Sequence, residues 1–151
     1  MKPTHPGHLV ALLVVVGLIT WAATRYFYGG FYIPWTAIPT VLFLALGEGY
    51  SGWVTKARIA RKPGTKPVEP LAVARLTALA KASAYAGAAF GGVFAGFAFY
   101  TAPMLDRDTP RAEFFIASGS LVSCVLLVCA ALYLEHACRV PKDQGEAGKR
   151  D

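Results

Sequence analysis

Four long stretches of the chain carry almost no charge, and they constrain its fold more than any motif does. They run over residues 9–28, 33–54, 76–101 and 114–134. At about 1.5 Å rise per residue, roughly 20 residues cross the hydrocarbon core of a bilayer. Inside hydrocarbon every backbone N–H and C=O must find a partner within the protein, so long apolar runs fold as helices. The expected fold class is therefore all-α: an integral membrane bundle of four transmembrane helices. A secretory signal peptide competes for the first stretch, because Lys2 precedes its apolar run. The sequence TWAATR offers no clean Ala-x-Ala cleavage pattern, so a retained span is the expectation.

Composition decides between this and a soluble domain. Charged residues make up 16% of the chain, against about 25% in soluble domains. The net charge of +6 then reads as loops facing anionic lipid rather than as a nucleic-acid footprint. No aromatic platform interleaves the basic residues, so nucleic acid is not an expected partner.

The charges also orient the chain. Twelve Lys/Arg fall on one side: Lys2, Lys56, Arg58, Arg61, Lys62, Lys66, Arg75, Lys81, Arg139, Lys142, Lys149 and Arg150. Three fall on the other: Arg25, Arg107 and Arg111. The bias predicts both termini in the cytoplasm and a multi-pass protein of the plasma membrane. Aromatics mark both edges. Tyr26, Phe27, Tyr28, Phe31, Tyr32, Trp35, Tyr100, Phe114 and Phe115 gather at the outer ends, and Tyr50, Trp53 and Tyr133 at the inner ones.

Punctuation divides the rest. Gly29 and Gly30 predict a tight outer turn, and Pro34 suits the first turn of the second helix. Pro39 lies deeper and is expected to kink that helix. Residues 55–75 form a basic connection whose Pro63, Gly64 and Pro67 favour an extended path. Pro70 reads as the first position of the third helix, which is expected to begin at the lipid surface. Residues 102–113 are expected to form a short outer loop. Residues 1–138 are read as one transmembrane domain, and 139–151 as a disordered cytoplasmic tail.

The third stretch is rich in small residues. Ser83, Gly87, Gly91 and Ala95 recur every four positions, beside a second row of Ala84, Ala88, Gly92 and Gly96. Each row lies on one helix face. Small residues let helices approach closely in lipid, so Ser83, Gly87, Gly91, Gly92 and Gly96 are expected to pack against neighbours.

Few residues could carry chemistry. Glu48, between Gly47 and Gly49, falls inside the second stretch, and Lys81 lies at a similar depth in the third. A carboxylate in hydrocarbon must be paired, protonated or reached by water. A Glu48–Lys81 pair between consecutive antiparallel helices is geometrically reasonable; the structural reading is that interhelical pair or a carboxylate snorkelling inward, and the functional one a proton or substrate relay. Arg75, Glu135, His136 and Arg139 are expected to cluster at the cytoplasmic face. Lys56, Arg58, Arg61, Lys62 and Lys66 are expected to hold anionic lipid or a cytoplasmic protein. Cys124, Cys129 and Cys138 read as small apolar fillers, with Cys138 near enough to the membrane edge for a lipid anchor. His5 and His8 lack further ligands, so no metal is expected. No nucleophile elbow, phosphate loop or catalytic carboxylate pair is present, and neither an enzyme nor a cofactor is expected. The function classes left are a non-enzymatic scaffold with a basic cytoplasmic loop, or a subunit of a small oligomeric transporter or channel using Glu48 and Lys81. A homo-oligomer would suit the second.

Two runs are recognisable: RKPGTKPVEPLAVARL over residues 61–76 and LEHACRV over 134–140. With these the chain resembles an actinobacterial family of small four-pass membrane proteins catalogued as domain of unknown function 3180. The resemblance implies a four-helix membrane protein and carries over no catalytic or ligand residues.

Overall fold

The computed structural model describes residues 5–27, 34–59 and 70–138, apart from the side chains of 58, 59 and 70. Among them there is no strand. The helices are α1 (Pro6–Phe27), α2 (Ala37–Ile59), α3 (Pro70–Thr101) and α4 (Asp108–Ala137), with a 3-10 turn at Ala102–Met104. Pro6 and Pro70 each open a helix, where a missing N–H leaves no bond unmade.

Pro34 and Pro39 differ from expectation. The Ala37 N–H donates to the Pro34 carbonyl at 3.1 Å, so Pro34 sits in a turn before α2 rather than in its first helical turn. Pro39 then falls within that first turn, where backbone N–H groups have no intrahelical acceptor. The expected kink loses its cause. The helices also outrun their apolar stretches. α2 continues to Ile59, α3 starts at Pro70, and α4 starts at Asp108, so half of the expected 102–113 loop is helical. Hydropathy marks what lipid tolerates, whereas backbone hydrogen bonding continues into the polar flanks. Asp108, in the first turn of α4, complements the positive end of that helix.

Among the described residues, three segments are long and apolar enough to cross a membrane: Pro6–Phe27, Leu71–Met104 and Asp108–Ala137. α2 has 23 residues, but its second half holds Glu48, Tyr50, Ser51 and two glycines, which lower its apolarity.

Sequential helices are not all neighbours. α3 packs along both α1 and α4, α2 packs along α4, and no comparable seam joins α1 to α2 or α2 to α3 among the described residues. The order across the structure is α1, α3, α4, α2. α1 runs parallel to α3: Leu9 packs with Ala84 and Ala88, and Gly17 lies against Gly92 and Gly96. α2 runs parallel to α4: Ile38 lies over Gly119, and Gly52 lies beneath Tyr133. α3 and α4 are antiparallel, with Ala80 packed on Leu134 at one end and Phe97 and Ala98 on Ala117 at the other. The α3–α4 hairpin is thus inserted between α1 and α2. The start of α1, the end of α2, the start of α3 and the end of α4 all meet at one end of the structure.

The core is small and the exterior is large. Ala80, Ala84, Ala88, Ala117 and Ala131 are buried, while Val14, Leu18, Phe43, Phe90, Phe99 and Val122 are exposed. This inverts the usual sorting and suits a solvent of lipid tails. Two buried hydroxyls bond within their own helices: Thr24 donates to the Thr20 carbonyl at 2.7 Å and Ser123 to the Gly119 carbonyl at 3.0 Å.

Candidate functional site: a buried carboxyl in α2

Glu48 is the midpoint of α2. The helix extends beyond Val54, so Glu48 lies deeper from its inner end than the apolar stretch implied. Ala45, Glu48, Gly52 and Thr55 recur at spacings of three and four and form the buried stripe of α2. Gly52 against Tyr133 and Leu134 shows that this stripe faces α4. Glu48 is only 3% exposed. Neither Oε1 nor Oε2 has a hydrogen-bond partner among the described residues. The Ser83 side chain of α3 lies beside the carboxyl, but its hydroxyl is not in hydrogen-bonding geometry with either oxygen. Ser83 thus reaches the site from across the α4 seam. Sequence reasoning had placed it only in a packing row, because an uncharged hydroxyl in an apolar run leaves little hydropathy signal.

Lys81 is half-buried on α3, and no hydrogen bond joins it to either Glu48 oxygen. The expected pairing assumed that consecutive helices pack side by side. Here α4, not α3, lines α2. Lys81 instead shares a level with Glu135. Ala84 and Ala131 meet in one apolar cluster. Lys81 lies one turn from Ala84, and Glu135 lies one turn from Ala131 toward the same end. Glu135 is 5% exposed.

The other expected cluster members separate. Arg75 and His136 are exposed, while Glu135 is buried. Arg61, Lys62, Lys66 and Arg139, together with the Gly29–Gly30 turn, the tail and the Arg58 side chain, lie outside the described residues. Lys56 is exposed near the end of α2, with its Nζ 5.8 Å from the centre of the Tyr133 ring. Arg25 sits 5.8 Å from the Trp21 ring at the opposite end of the structure.

Cys138 is 7% exposed and packs with Ala80 and Leu134. Burial pushes its thiol above the ordinary 9.0, opposed by a hydrogen bond with Thr77. That burial removes Cys138 as an accessible lipid anchor. Ser120, which the sequence did not single out, is fully buried, and its hydroxyl has no partner among the described residues. No group of three or more His, Cys, Asp or Glu among the described residues is placed to hold a metal.

Helices long and apolar enough to cross a membrane, a core of small residues and an apolar exterior point to the class: an α-helical membrane protein. The chain belongs to the family described as protein of unknown function (DUF3180), which matches residues 9–142 and so takes in nearly all of the four helices. No curated protein and no solved structure matches it.

Proposed function

We propose that the protein is a four-pass protein of the plasma membrane with both termini in the cytoplasm. It acts as a non-enzymatic scaffold whose basic α2–α3 connection gathers anionic lipid head groups. The carrying observation is that the four helix ends flanked by most of the Lys/Arg lie together at one end of the structure. Lys56 and Arg75 are both exposed there. α2 counts as the fourth span for a physical reason. It runs parallel to α4, is about 35 Å long at 1.5 Å per residue, and turns Glu48 inward rather than toward lipid. α3, at about 48 Å by the same rise, exceeds the core, so its first turns sit at the interface.

Each basic residue near an anionic surface contributes about 1 kcal/mol. Replacing Lys56, Arg58, Arg61 and Lys62 together by Gln should therefore deplete the anionic phospholipid that co-purifies with the protein. An unchanged lipid complement ends the scaffold reading. Orientation is tested separately. Arg107→Cys should react with an impermeant maleimide on intact cells, and Lys62→Cys should react only after lysis.

The second reading, a transporter subunit, is favoured by one observation: the burial of Glu48. Loss of cellular function in Glu48→Gln with normal expression supports it, and indifference supports the scaffold.

A further inference from the structure

We propose that Glu48 is a reversible proton-binding site at the junction of α2, α3 and α4, with the proton as its ligand and Ser83 as its nearest polar neighbour. The inference stands on the placement of the carboxyl and holds under either functional reading.

The argument is one of exclusion by geometry. The side chain is 97% buried, complementing its 3% exposure, and neither oxygen accepts a hydrogen bond from a described residue. An ionised carboxylate without a counter-charge in hydrocarbon costs several kcal/mol, and carriage of a proton removes that cost. The surroundings supply no substitute. From α4 the titratable groups are Tyr133 and Glu135, from α3 Lys81, and on α2 itself Tyr50 and Lys56. None donates a hydrogen bond to Glu48. Tyr133 is packed over Gly52, one turn from Glu48 toward the basic end. Glu135 and Lys81 share their own level of the α3–α4 seam.

Gly47 and Gly49 flank the acid, and a Cβ at Gly47 would meet nothing within 4 Å. At Gly49 it would just touch the Ala130 methyl at 4.0 Å. The residues on either side of Glu48 in the chain thus carry no side chain of their own. Two turns along the buried stripe, Thr55 is the next buried polar residue toward the basic end. That places a hydroxyl between the acid and the face where water is available.

The test is infrared spectroscopy of the full chain in neutral phospholipid bilayers. The wild type should show the carbonyl band of a neutral carboxylic acid, and Glu48→Gln should lack it. The band should fade as the pH is raised and the acid ionises. Glu135→Gln should retain it, and Ser83→Ala should move its pH midpoint. Identical spectra for wild type and Glu48→Gln overturn the proposal, and so does a band that pH never changes. If Glu48→Gln fails to fold, Glu48→Asp keeps the acid and should shift the band frequency; an unshifted band again overturns the proposal.

Discussion

Gly96 of α3 lies against the backbone of Gly17 on α1, so closely that a Cβ at position 96 would fall on the Gly17 carbonyl oxygen. The same Cβ would lie 3.0 Å from the Trp21 nitrogen and 3.0 Å from the Thr20 Cβ. Two of these three atoms are backbone and cannot swing aside. In lipid there is no hydrophobic drive between helices, so this seam depends on contact packing.

Gly96→Ala should therefore separate α1 from α3 and destabilise the protein by about 1–3 kcal/mol, the usual cost of overpacking. Reversible unfolding in detergent measures it. Gly47→Ala is the matched control, because a Cβ there meets nothing within 4 Å. It should stabilise α2 by about 0.5–1 kcal/mol, the helix-interior difference between Gly and Ala. Equal effects at both positions would remove the close seam.

Gly91 makes a finer test. A Cβ there would meet the Cys124 Cβ at 3.4 Å and the Leu13 Cδ1 at 3.5 Å, which is ordinary contact. Gly91→Ala should fit. Gly91→Leu adds branched volume where three helices meet and should cost about 1–3 kcal/mol. An unchanged melting temperature for the Leu variant would show that the junction is loosely packed.

The two rows on α3 explain what the sequence could and could not reveal. Spacing of four made both rows visible, because small residues on one face leave a periodic trace. Which row met which helix was not visible. Gly87 and Gly91 turn out to face α4, while Gly92 and Gly96 face α1. Hydropathy separates protein from lipid but says nothing of adjacency, since every helix is apolar. The same blindness misdirected Glu48 toward Lys81: chain succession put α2 beside α3, and packing put it beside α4. Pro39 failed for a smaller reason, because the helix start was set three residues downstream of Pro34.

Cys138 provides a pH-dependent prediction. Its thiol titrates above 9.0 when folded, and burial is the dominant cause. The folded chain therefore holds this proton to higher pH than the unfolded chain. Stability from this group is constant below about 9 and falls as pH rises beyond it. Maleimide, which reacts with the thiolate, should label Cys138 slowly in folded protein at neutral pH and rapidly once the protein is unfolded. Equal rates in the two states would place Cys138 at the surface.

Lys81 and Glu135, at one level of the α3–α4 seam, should be energetically coupled. A double-mutant cycle isolates the term: Lys81→Met, Glu135→Gln and the double variant, each unfolded under the same conditions. Removing one member of a buried charge pair leaves the other uncompensated, so each single change should be costly. The double change removes both charges and should cost less than the sum, with a coupling of about 0.5–3 kcal/mol. The Lys81→Glu and Glu135→Lys reversals sharpen the test. Either alone places like charges at one level, and both together restore the opposite signs. Recovery in the double reversal supports the coupling. Strict additivity would mean that the shared level brings no contact, and that Glu135 is satisfied from elsewhere in the bundle.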